Sequence, residues 1–209
     1  MFWKNIYTWM IKLFRFAKLR TGKKISGLLD MIEYMNHFGS TSKMKMVEIG
    51  SYVGDSTILF AKYFREVISI DPYKNTYPNT EHLVRSKFAP WPIVYKEFIK
   101  RTQFLKNITQ IKKTSDEAIV DLVGNNFNFV YIDGNHLFRH VVSDIKNYSN
   151  LIEDGFIGGH DYKMSFPEVI AGVKYTLGVP DFVFKDSSWI KFIGKTRELL
   201  AFKNNTKMV

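Results

Sequence analysis

Cysteine is absent from the 209-residue chain. Its absence excludes disulfides, thiolate metal sites and a cysteine nucleophile together, and it fits a reducing, cytoplasmic setting. Any metal must therefore be held by oxygen or imidazole. Apolar runs of 18 or more residues are missing too, so the sequence offers no bilayer-spanning segment. Proline and glycine are sparse, with 6 and 13 residues, and no low-complexity tract, internal repeat or linker divides the chain. With 45% hydrophobic and 16% aromatic residues, the chain reads as one folded domain.

Acidic residues are lacking from the first 24 positions. That stretch holds seven of the thirty cations (Lys4, Lys12, Arg15, Lys18, Arg20, Lys23 and Lys24), and the first carboxylate is Asp30. The remainder carries twenty-three cations against twenty acids, so the net charge of +10 is mostly terminal and leaves no broad footprint for a polyanion. Phe2, Ile6, Trp9, Met10, Leu13, Phe14 and Ala17 recur at helical spacing between those cations, which predicts a basic amphipathic helix over residues 1–24 ahead of a domain over residues 25–209. Four readings stay open for it: peripheral membrane contact, organelle targeting, a basic arm for an anionic substrate, or a helix that packs on the domain or pairs two copies in a homodimer. Lys12 and Arg15 interrupt what would be the apolar core of a secretory signal.

From Ser26, a candidate N-cap for a helix to His37, β-rich and helical runs alternate. Strands are predicted at Met44–Ile49, Val67–Asp71, Ile108–Lys112, Phe127–Asp133, Phe156–His160, Phe182–Lys185 and Ile190–Ile193. Helices are predicted at Asp55–Phe64, Glu81–Phe88, Tyr95–Leu105, Asp116–Leu122, His136–Ile152 and Pro167–Leu177, with an irregular insertion over Pro78–Pro92. Seven apolar strands alternating with helices predict an α/β fold, a Rossmann-like, doubly wound and mostly parallel sheet covered on both faces. Chemistry is then expected beyond the carboxyl ends of the strands.

Two strand ends stand out. The first runs Val47-Glu48-Ile49-Gly50-Ser51-Tyr52-Val53-Gly54 into a helix, a turn whose glycines admit unusual backbone angles and the close approach of a ligand to a helix N-terminus. The second ends at Asp71, 21 residues after Gly50, where a carboxylate can accept from ribose hydroxyls. A dinucleotide site normally has a glycine where Tyr52 stands, so a nucleoside cofactor without pyrophosphate fits better.

These segments, with Ile70-Asp71-Pro72, Ile132-Asp133-Gly134-Asn135-His136 and Gly158-Gly159-His160-Asp161-Tyr162, make the chain resemble class I S-adenosylmethionine-dependent methyltransferases over roughly residues 44–165. The branch is that of catechol O-methyltransferases and metal-dependent sugar and macrolide O-methyltransferases. The resemblance implies Glu48 near the methionine amino group and Gly50, Ser51, Tyr52 and Gly54 against the cofactor. It also implies Asp71 on the ribose, Ser115 and Asp116 by the adenine, and Asp133 facing both cofactor and metal.

Adjacent parallel strands should bring Asp133, His136, His160 and Asp161 to one rim. Methyl transfer to a hydroxyl needs a base or a divalent cation that acidifies the hydroxyl. His136 is the expected base, and Asp133, His160 and Asp161 are the expected ligands of Mg²⁺ or another divalent cation. The branch carries a carboxylate where His160 stands, and imidazole shifts the preference toward Mn²⁺, Fe²⁺ or Zn²⁺. His160 as a metal-free strand-end residue and His136 as a first-turn helix residue are the competing readings, and Asp144 is expected to be structural.

The expected acceptor is a small molecule or glycan, met by aromatics such as Tyr73, Tyr77, Trp91, Tyr162 and Phe166. Three other activities compete. A nucleic-acid methyltransferase would use the basic arm, but no Asn-Pro-Pro-Tyr-like or Asp-Pro-Pro-Tyr-like tetrapeptide follows the fourth strand. A metal-dependent hydroxylase on the same fold and a non-enzymatic binding module are the other two.

Overall fold

The computed structural model describes residues 23–74 and 90–194. The expected helix Glu81–Phe88 and all but Lys23 and Lys24 of the amino-terminal basic segment lie outside them. Helix α1 (Lys23–Asn36) leads through a short 3₁₀ turn (Thr41–Lys43) to β1 (Lys45–Ile49), α2 (Asp55–Tyr63) and β2 (Glu66–Ile70). Then come α3 (Trp91–Thr102), β3 (Ile108–Ile111), α4 (Ser115–Leu122), β4 (Phe129–Ile132), α5 (Phe138–Ser149), β5 (Gly155–Gly159), α6 (Pro167–Leu177), β6 (Phe182–Val183) and β7 (Trp189–Ile193).

The strands form one seven-stranded sheet in the order β3-β2-β1-β4-β5-β7-β6, parallel except that β7 runs antiparallel to β5 and β6. Strand alternation divides the apolar residues between two faces. Val47, Ile49, Ile68, Ile70, Val130, Ile132 and Ile157 pack with α4, α5 and α6. Met46, Val67, Phe129, Tyr131 and Phe156 pack with Leu28, Met31, Ile32 and Met35 of α1 and with Phe60 and Phe64 around α2. The doubly covered architecture agrees with the expectation from sequence.

Several boundaries differ. Ser26 is no N-cap, because α1 already runs from Lys23, and its apolar positions extend one continuous stripe onto the sheet. Helix α3 begins at Trp91 rather than Tyr95. Pro90 is its N-cap and Pro92 sits in the first turn, where a missing amide costs nothing. His136 precedes α5, whose N-cap is Leu137. The carboxylate of Glu168 in α6 accepts the Phe138 amide at 2.7 Å and Asn135 Oδ1 accepts the Leu137 amide, so the chain turns before the helix starts. Phe127 and Asn128 also precede β4.

Strand order reverses between β1 and β4, which opens a crevice beyond their carboxyl ends. Above it, a third cluster of Val53, Tyr73, Val94 and Phe98 seats α3 over the turn that follows β1.

Candidate active site

The turn after β1 is shaped by what its neighbours allow. Gly50 has φ +88°, and a β-carbon there would stand 2.2 Å from the Asp133 carbonyl oxygen, so no other residue fits without moving β4. The Gly50 amide donates to Ile70 O and the Asp133 amide to Ile49 O, both at 2.8 Å, which locks the ends of β1, β2 and β4 together. Gly54, φ +85°, is the N-cap of α2. Tyr52 also adopts a left-handed conformation at φ +48°.

That strained turn is held by Asp71. The buried carboxylate accepts the Tyr52 amide on Oδ2 and the Tyr73 amide on Oδ1, each at 2.9 Å. Burial raises its pKa to about 6; the two amide bonds act in the opposite direction and are outweighed. Both oxygens keep acceptor capacity for ribose hydroxyls. Glu48 is fully buried beneath the turn and accepts from Ser56 Oγ and Thr57 Oγ1 in the first turn of α2, where the helix dipole favours a negative charge. Ser51 Oγ lies 3.2 Å from the Tyr73 hydroxyl, which burial raises well above its ordinary pKa.

Arg101 of α3 was not legible in any motif. Its guanidinium donates to the Val53 carbonyl at 3.1 Å and pairs with Asp55, so α3 is pinned to the glycine turn at two points. Ser115 and Asp116 open α4 behind the capping box of Thr114 and Glu117. Asp116 is exposed and accepts from Ser143 Oγ at 3.0 Å, while the Ser115 carbonyl accepts from Tyr148. Asp144, buried on α5, is pushed up to about 7 by burial; a hydrogen bond from Ser115 lowers it and nearby Asp116 raises it.

At the ends of β4 and β5 the polar side chains meet one another. His136 Nε2 lies 2.9 Å from Asp161 Oδ2 and 3.8 Å from Asp133 Oδ1, and its ring packs on Phe166 at 4.7 Å between centroids. Asp161 has φ +60°, a conformation that Asp tolerates better than bulkier residues. Lys163 Nζ stands 2.7 Å and His160 Nδ1 3.0 Å from Asp161 Oδ1. Burial works to raise the Asp161 carboxyl, but the bond from His136, the neighbouring His160 and the Lys163 ammonium hold it well below the ordinary carboxylate range. With Asp161 ionised, this hydrogen bond places a ring N–H of His136 on Nε2.

Asp133, His160 and Asp161 present donor atoms within 4.8 Å of one another. His160 Nδ1 faces Asp161 Oδ1 at ion-pair distance without the alignment of a hydrogen bond, and it has no other hydrogen-bond partner among the described residues. Two carboxylates and an imidazole nitrogen gathered this closely are a donor set that suits a divalent cation. Lys163, on a half-exposed side chain, competes with such a cation for the same oxygen. Among the described residues, no helix is long and apolar enough to cross a membrane.

A family model described as a methyltransferase domain matches residues 47–162, more than half of the chain and all of the strand-end motifs. Among solved structures, the O-methyltransferase NovP is similar at 14% identity and TM-score 0.61, with 80% of each chain covered. CalS11, a calicheamicin methyltransferase, is similar at 11% identity and TM-score 0.62, covering 88% of this chain and 86% of its own. At these identities the likeness is one of fold. No curated protein matches the sequence significantly. The family match, the sheet order and the glycine turn with its buried Asp71 agree, and the chain belongs to the methyltransferase domain family as a class I S-adenosylmethionine-dependent methyltransferase.

Proposed function

We propose that this methyltransferase acts on a hydroxyl oxygen of a small molecule or sugar. On this reading His136 is the general base, and Asp133, His160 and Asp161 hold a divalent cation. The observation that carries it is the convergence of those four side chains at the ends of β4 and β5, one strand from the glycine turn.

When bound, S-adenosylmethionine supplies a methyl group on a positively charged sulfur. Asp71 orients the ribose, Glu48 favours the cationic methionine end, and Gly50 lets the cofactor lie against the backbone. The acceptor oxygen must lose its proton as it takes the methyl, and His136 receives that proton at Nδ1 while Nε2 stays bonded to Asp161. A cation at Asp133, His160 and Asp161 would lower the hydroxyl pKa and fix its direction. Phe166, whose ring lies against His136, offers apolar surface beside the proposed base. Residues 25–209 are nearly balanced in charge, which favours an uncharged or glycan acceptor over a polyanion.

The test is a screen of hydroxylated small molecules and sugars with methyl-labelled donor, repeated after EDTA treatment. Label on oxygen, lost with EDTA and restored by a divalent cation, is expected. Label on nitrogen would overturn the acceptor class, and turnover untouched by EDTA would remove the cation.

A further inference from the structure

His160 stands between two carboxylates. Its Nδ1 faces Asp161 and the ligand cluster, while its Nε2 lies 3.9 Å from Oδ2 of Asp186 in the turn between β6 and β7. The Asp186 side chain is fully buried. Its Oδ1 accepts the Ser188 amide at 2.9 Å, but Oδ2 has no hydrogen-bond partner among the described residues. The carboxylate is also pressed against α1, since a β-carbon on Gly27 would come within 2.1 Å of Asp186 Oδ1. A carboxylate oxygen that is buried, unsatisfied and aimed at an imidazole needs a reason to be there.

Histidines that bind a metal through one ring nitrogen generally donate the other N–H to a carboxylate, which sets the tautomer and strengthens the ligand. We propose that Asp186 is the positioning residue of such a triad: it accepts Nε2–H of His160 and so leaves the Nδ1 lone pair for a cation shared with Asp133 and Asp161. The inference rests on the cation reading above and adds a residue that lies outside every strand-end motif. A carboxylate-backed imidazole also tilts the site toward Zn²⁺ or Mn²⁺ and away from Mg²⁺.

Zn²⁺ is the probe, titrated into metal-free full-length protein by calorimetry. Asp186→Asn keeps an oxygen for the Ser188 amide while removing the charge facing His160. It should weaken Zn²⁺ binding by about 10- to 100-fold and leave S-adenosylmethionine affinity unchanged. In a His160→Gln background the same substitution should change nothing further. Nitrogen NMR of the Zn²⁺-loaded wild type needs no variant and should show His160 protonated at Nε2 and ligated through Nδ1. Absence of Zn²⁺ binding by the wild type would overturn the cation reading and the triad together. Zn²⁺ binding that Asp186→Asn leaves unaltered, or ligation through Nε2, would overturn the triad alone.

Discussion

The two sides of the crevice treat their acids differently. Beside β1 and β2, each carboxylate is matched from its own surroundings: two amides on Asp71, two hydroxyls on Glu48. Beside β4 and β5, Asp133, Asp161 and Asp186 face imidazoles and an ammonium, and Asp186 Oδ2 is left without a hydrogen bond among the described residues. The first side is a receptor already set in its bonded form, as differential binding of a common cofactor requires. The second is a cluster of titratable groups paired mainly with one another, and it is where the proposed function sets proton transfer.

That contrast breaks most visibly at His136. With an acceptor in hand, His136→Ala should lower kcat by about 10²- to 10⁴-fold while calorimetry returns an unchanged cofactor affinity; a comparable loss of cofactor binding would mean that the two sides are not separate. The reverse holds for Asp71→Asn. Loss of its charged hydrogen bonds should raise the cofactor Kd by about 10- to 100-fold. With Asp71 as the proposed ribose acceptor, the cofactor needs the ionised form of a carboxyl that burial has raised to about 6. Affinity should therefore fall as pH drops through that value, by about tenfold at pH 5 relative to pH 7, and the Asn variant should lack this dependence.

The smallest effect is expected at Asp144, buried on α5 beneath the Gly134 backbone. Its folded pKa of about 7 lies above the ordinary 3.8, so the folded state holds a proton that the unfolded chain has already released. Stability is therefore lost as pH rises through that window and stays lost above it. Asp144→Asn should stabilise the protein at pH 8 by on the order of 1 kcal/mol and give no gain at pH 4, as read from urea midpoints. A gain that is equal at both pH values would show that titration is not the cause.

What the sequence disclosed, and what it hid, follows the range of the interactions. The glycine turn, Asp71 and the Asp133-to-His136 run were legible because each is local: a strand end, a bend and a side chain within a few residues. The start of α3 was local too, but Pro90 and Pro92 read as breakers when they were a cap and a first-turn residue. Arg101 and Asp186 left no trace, since their partners Val53, Asp55 and His160 lie 26 to 48 residues away along the chain and no fixed spacing announces them. His136 lay between these cases. Its position was evident, but its pairing through Nε2 with Asp161, from the next strand end, was not.

The antiparallel pairing of β7 with β5 brings Trp189 opposite Gly159, which puts the turn carrying Asp186 against the rim. Every motif of the family match falls within residues 47–162, yet this turn comes from beyond it. A module cut at the boundary of the match would keep the glycine turn and Asp71 and lose the carboxylate that faces His160. If the proposed cation site holds, exchange of the β6–β7 hairpin between relatives would alter the backing of His160 while leaving the glycine turn as it is.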